Sequence, residues 1–146
     1  MGRVTPNEDG EMWDYIRWAG ASKKAFNGKP GQAVLKEIEK ALLAMPTQRL
    51  IQDKWVYADD VCVLGALDVY RTTQEKNISW GTARHIIIQE GFDTEDWDIA
   101  KKRLNITRTL AWELMYENDG DYYTKNITPE QRWTMMLRYI RSKINY

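Results

Sequence analysis

Asn27-Gly28-Lys29-Pro30-Gly31-Gln32, an apolar-striped run to Met45-Pro46, then Gln48-Arg49-Leu50-Ile51 and Val61-Cys62-Val63-Leu64-Gly65 make up the stretch on which the fold turns. It runs in a definite order: a Gly-rich break, a helix, a Pro stop, an extended piece and a second helix start. Over 31–45, Val34, Leu35, Ile38, Ala41, Leu42 and Met45 recur at the helical period. Lys36, Glu37, Glu39 and Lys40 occupy the opposite face, so this helix is expected to lie half-buried. Pro46 ends it, because the residue before a proline is driven out of the helical region. Residues 49–57 read as the extended segment. Asp59 or Asp60 is placed to cap the next helix, in which Val63, Ala66, Leu67 and Tyr70 face inward. Gly28 and Gly31 do not make a phosphate loop, since no strand precedes them and no Lys-Ser/Thr pair follows.

Helical punctuation dominates both flanks. Residues 1–10 form a short flexible lead. From 11 to 26, Met12, Tyr15, Ile16, Ala19 and Phe26 mark a helix that Asn27-Gly28 stops. On the other side, Ser79 caps a helix through Trp80, Ala83 and Ile87, and Gly91 ends it. Asp93 or Thr94 opens another around Trp97, Ala100 and Leu104, and a further one starts at Thr107 with Leu110, Ala111 and Leu114. Thr128-Pro129-Glu130-Gln131 is the strongest start signal in the chain: a capping hydroxyl, Pro at the first helical position and Gln three residues after the cap. Trp133, Met136, Leu137, Ile140 and Ile144 form the stripe of that last helix. The expected fold is mainly α, a compact single-domain bundle of about six to seven helices over 11–146, with at most a short β-hairpin near 49–63.

Composition narrows the function classes. The 146 residues suffice for one real core, and 43% hydrophobic with 29% charged residues is ordinary for a folded chain. Seven Trp and eight Tyr against two Phe put much of the apolar surface on rings with a polar tip, which suit core edges and interfaces, self-association included. Twenty-one basic residues balance twenty-one acidic ones, so no net field draws the chain to nucleic acid or anionic lipid. A single cysteine, Cys62, excludes an internal disulfide and a cysteine-rich metal site. No run reaches the ~20 apolar residues of a membrane helix and the first ten residues lack a signal-peptide core, so a cytoplasmic, reducing setting is expected.

The residues that could carry chemistry have structural explanations. Nucleophilic catalysis needs a base beside Cys62 or a Ser, and His85 is the one histidine. Cys62 lies in a Val/Leu/Ala run and His85 precedes three Ile residues, contexts that fit a structural thiol and a packed imidazole. The acidic loop Glu117-Asn118-Asp119-Gly120-Asp121 fails as a calcium loop: with Gly120 at position 6, position 12 falls on Asn126 where Glu is required. No metal and no cofactor is therefore expected. Asp59-Asp60 and Asp96-Asp98 sit at helix starts, where acids complement the dipole. Asn77-Ile78-Ser79, Asn105-Ile106-Thr107 and Asn126-Ile127-Thr128 match the glycosylation pattern, yet each reads more simply as an Asn turn, a packed Ile and a capping hydroxyl. Lys101, Lys102, Arg103, Arg108, Arg132, Arg138, Arg141 and Lys143 could line a basic face with Tyr122 and Tyr123, but Asp93, Glu95, Asp96, Asp98, Glu113, Glu117, Asp119 and Asp121 share that half of the chain.

Gly28-Lys29-Pro30-Gly31-Gln32, Ala44-Met45-Pro46, Arg49-Leu50-Ile51, Val61 to Ala66, Tyr116-Glu117-Asn118-Asp119 and Thr128 to Trp133 stand in an order that resembles a group of small bacteriophage and prophage proteins. Similar proteins carry an Asp-Gly turn before the Val-Cys segment. Here Ala58-Asp59-Asp60 takes its place, which argues against a tight hairpin at that point. The resemblance implies a mobile-element origin and a bacterial host cytoplasm, and brings no catalytic residues. The function expected is non-enzymatic: an accessory protein that binds a host or phage protein, inhibition of a host defence being one form of it. The alternative is a nucleic-acid-associated regulatory or DNA-handling protein. Trp18, Arg49, Trp55, Asp119, Tyr122 and Tyr123 are the candidate contact residues, because aromatic and Arg anchors dominate binding energy where they become buried. Core packing is the competing role for each Trp.

Overall fold

A computed structural model of the protein describes residues 20–21, 23–91, 102–120 and 126–146. The fold is mainly α with one two-stranded antiparallel hairpin. Five helices have defined bounds: α1 (Lys29–Ala44), α2 (Val63–Lys76), α3 (Trp80–Glu90), α4 (Arg108–Asp119) and α5 (Pro129–Lys143). The hairpin, β1 (Val56–Tyr57) and β2 (Asp60–Val61), lies between α1 and α2. Residues 23–27 and 102–104 are also helical. The lead at 1–10, most of the helix expected over 11–26, and the start expected at Asp93 or Thr94 with Trp97 and Ala100 lie outside the described residues.

α1 follows the sequence stripe closely, burying Val34, Leu35, Ile38, Ala41 and Leu42. It begins two residues before position 31, with Pro30 in its first turn, and Met45 is extended ahead of Pro46. Gly31 permits the entry: a Cβ there would lie 1.7 Å from the Ala25 carbonyl oxygen. Gln32 fastens the same corner. Its amide donates to the Phe26 and Lys143 carbonyls at 2.8 and 2.9 Å, and its oxygen accepts from the Asn145 N–H at 2.8 Å.

The hairpin forms with the two-residue turn Ala58-Asp59, pairing Val56 with Val61 and Tyr57 with Asp60. Ala58 takes φ 52°, a left-handed conformation that glycine adopts without strain, so the tight turn forms without its preferred residue. The short hairpin allowed near 49–63 is thus present, with Ala58-Asp59 as its turn. Arg84 holds the turn from α3, donating to the Ala58 carbonyl and pairing with Asp59 at 3.2 Å. The expected cap at Asp59 or Asp60 is corrected. Both belong to the hairpin, and α2 starts after Cys62, whose Sγ accepts from the Gly65 N–H at 3.3 Å.

α2 packs against α1, α3, β2 and α4, while α5 closes on α1 and α4. Every residue of α2 from Val63 to Val69 is buried, which explains why this stretch is apolar on all sides except at Asp68. Gly65 lets the chain pass: a Cβ would lie 2.0 Å from the Trp55 carbonyl oxygen. Leu35, Ile38, Leu42, Leu64, Leu67, Leu114, Met136 and Ile140 are fully enclosed in the core, each contributing about 1.5–3 kcal/mol by leaving water.

Helix junctions follow one local grammar. Asn77 and Asn105 adopt φ 52° and 53°, Ile78 and Ile106 turn inward, and the Ser79 and Thr107 hydroxyls accept the Thr82 and Leu110 N–H groups. Thr128 and Gln131 form a reciprocal capping box at 3.1 and 2.9 Å. Gly91 ends α3 at φ 63°. Among the described residues no helix is long and apolar enough to cross a membrane.

Candidate functional site

Three pieces of chain meet around one open depression. The segment from Leu50 to Lys54, expected to be extended but bent at Gln52 and Asp53, where Asp53 takes φ 64°, joins the ring of Tyr57 and the entry to α5 at Ile127 and Pro129 around about 370 Å³, and Arg132 also lines the space. That volume falls within the roughly 300–1,000 Å³ of ligand-accepting clefts. Tyr57 is 65% exposed, one of few large apolar side chains so placed among the described residues.

Backbone bonds set the positions of the walls. The Leu50 N–H donates to the Pro129 carbonyl at 3.0 Å, drawing this segment to the start of α5, and the Ile51 N–H donates to the Val61 carbonyl at 2.9 Å. Asn118, wholly buried near the end of α4, supports this arrangement. Its side-chain oxygen accepts from the Val63 N–H at 2.9 Å, and its amide donates to the Ile51 carbonyl at 2.8 Å and to Asp119 at 3.2 Å. Arg132, on the first turn of α5, donates to the Asn118 carbonyl and to the Gln52 side chain, the latter at 2.9 Å. Burial lowers the Arg132 guanidinium from its ordinary value, with Asp119 and Asp53 opposing. Burial raises the Asp119 carboxyl, opposed by the Asp53 N–H at 3.1 Å and the Asn118 amide. Arg49 joins the rim, pairing with Asp60 of β2 at 3.1 Å and with Glu130 of α5.

The sequence candidates scatter across this frame. Arg49 and Asp119 lie beside the depression, each occupied by the contacts above. Trp55 is inside, 4% exposed, and its indole N–H donates to Asp68 at 3.0 Å. Its expected place among exposed aromatic contacts is corrected, for the chain bends at Gln52 and Asp53 and the indole bonds Asp68 of α2 inside the core. Trp18, Tyr122 and Tyr123 lie outside the described residues.

Sequence reading missed the buried polar groups. Asp68 accepts from Trp55 and from Arg103, which also binds Glu90. Burial raises the Asp68 carboxyl above its ordinary range, and Arg103 counters that rise. A signal was present: Asp68 falls four residues after the core residue Leu64, where a charge requires a partner. Asn118 likewise follows Leu114 by one turn.

Catalytic and nucleic-acid arrangements find little here. Burial pushes the Cys62 thiol up to about 12, and its sulfur is taken by the Gly65 N–H. His85 is exposed and meets Gln89 at 3.1 Å, so neither residue bonds the other. Among the described residues no three His, Cys, Asp or Glu side chains are grouped to hold a metal ion. Four of the basic residues that could line a face in the C-terminal half are engaged within the fold. Arg132 is buried, Arg141 pairs with Glu39 at 2.8 Å, Arg103 is held by Asp68 and Glu90, and Lys143 lies over the Phe26 and Tyr139 rings at 5.6 and 5.4 Å.

No protein-family model matches the chain, and comparison with curated proteins and with solved structures returns no similar one.

Proposed function

We propose that the protein acts without catalysis, by binding another protein at the surface formed by residues 50–57 and 127–132. The observation that carries this reading is the depression of about 370 Å³ beside the 65% exposed ring of Tyr57. Its walls are held by the Leu50–Pro129 backbone bond and by the Asn118 and Arg132 side chains. A pre-set surface loses little freedom on association, and Tyr is a residue type enriched where binding energy concentrates. The resemblance to phage-borne proteins directs the search to host and phage proteins of the bacterial cytoplasm, host-defence components among them.

Affinity purification of the tagged full chain from phage-infected cells, run beside a Tyr57→Ser variant of matched melting temperature, tests the reading. One stoichiometric protein is expected with the wild type and not with the variant. Recovery of nucleic acid alone, or of the same protein by both, would overturn it.

A further inference from the structure

We infer that the partner presents to this depression a segment in which an apolar side chain stands next to a carboxylate. This rests on the binding reading above and adds the chemistry of the occupant. Leu50, Ile51, Ile127 and Pro129 give the space an apolar lining that an aliphatic or aromatic side chain fills. Charge decides the rest. Lys54 and Arg132 line the depression and no carboxylate does. The charge of Arg132 is matched by Asp119 and Asp53, and it donates to Asn118 and Gln52. At the rim, Asp60 and Glu130 are taken by Arg49. Lys54 is exposed and enters no ion pair among the described residues. It is a lining cation that no carboxylate among the described residues pairs.

An incoming carboxylate therefore meets an ammonium, and an incoming ammonium meets like charge. Such a rim pairing serves discrimination and association rate more than affinity. One unmatched cation does not suffice for a polyphosphate backbone, whose binding needs several.

Isotope-labelled full-length protein is titrated with the capped peptides Gly-Leu-Asp-Gly, Gly-Leu-Asn-Gly and Gly-Leu-Lys-Gly and with sodium butyrate, following the amide resonances of Leu50, Ile51, Lys54 and Tyr57. The Asp peptide is expected to bind about 3- to 5-fold more tightly than the Asn peptide, the scale of an exposed ion pair, with the Lys peptide weakest. Lys54→Glu should invert that order, and high salt should flatten it. Equal response to the three peptides, shifts confined to another surface, an order unchanged in Lys54→Glu, or butyrate binding as tightly as the Asp peptide would each overturn the proposal. The two readings fail separately. If Tyr57→Ser abolishes partner capture while the peptides are not discriminated, the surface stands and its acidic preference falls. If neither Tyr57→Ser nor Lys54→Glu alters capture, both fall.

Discussion

Cys62 gives up reactivity to serve as a helix cap. Its sulfur replaces the usual hydroxyl at the start of α2, and burial moves the thiol from 9.0 to about 12. Between those values the unfolded chain releases the proton and the folded chain keeps it. Stability therefore falls as pH rises through that window, by about 1.4 kcal/mol per pH unit. Denaturant melts from pH 9 to 10.5 should show this slope in the wild type and lack it in Cys62→Ser, which keeps a capping oxygen. Alkylation of Cys62 by iodoacetamide should proceed no faster than global unfolding. Ala58 carries a cost of another kind. At φ 52° its Cβ crowds the following carbonyl, a strain of ~1–2 kcal/mol that glycine avoids at an entropic cost of ~0.4–1. Ala58→Gly should raise the unfolding free energy by about 0.5–1 kcal/mol in urea melts. The doubt about a tight turn rested on the missing Asp-Gly pair and could not weigh Arg84, which reaches the turn from 26 residues away.

At the level of elements, most of the fold was legible because its signals are local. A capping hydroxyl, the Gln three residues on and the proline between them lie within one turn, so the start of α5 could be read directly. The same holds for Ser79, Thr107 and Gly91. Thr128→Ala should cost about 1 kcal/mol, measured by chemical denaturation. The start of α2 was misread because the hairpin, a tertiary unit, sets where that helix can begin. Glycines sort by what their missing side chain would meet. Gly65→Ala would place a methyl 2.0 Å from the Trp55 carbonyl oxygen and Gly31→Ala one 1.7 Å from that of Ala25. Backbone cannot yield as a side chain does, so each should lose about 3 kcal/mol or more. Gly81, in the exposed part of α3 with nothing within 4 Å, should gain up to ~1 kcal/mol on substitution by Ala. Thermal melts of the three variants separate these outcomes.

Across the whole molecule, the depression was hidden from sequence because it is made by distant groups. Asn118 bonds Val63 across 55 positions and Ile51 across 67, and Arg132 reaches Gln52 across 80. No local period marks such a partner, though an amide on an apolar stripe is a sign that one exists. Asn118→Ala leaves the buried Val63 N–H and the half-buried Ile51 carbonyl without their partner, and should cost about 2–4 kcal/mol in denaturant melts. Gln32 extends the same point to the time course of folding. Its bonds to Lys143 and Asn145 span 111 and 113 residues, so they close the chain's largest described loop and gain nothing until the intervening helices are in place. They belong to the native side of the folding barrier. In stopped-flow experiments Gln32→Ala should leave the refolding rate nearly unchanged and speed unfolding, which makes this corner a brake on opening.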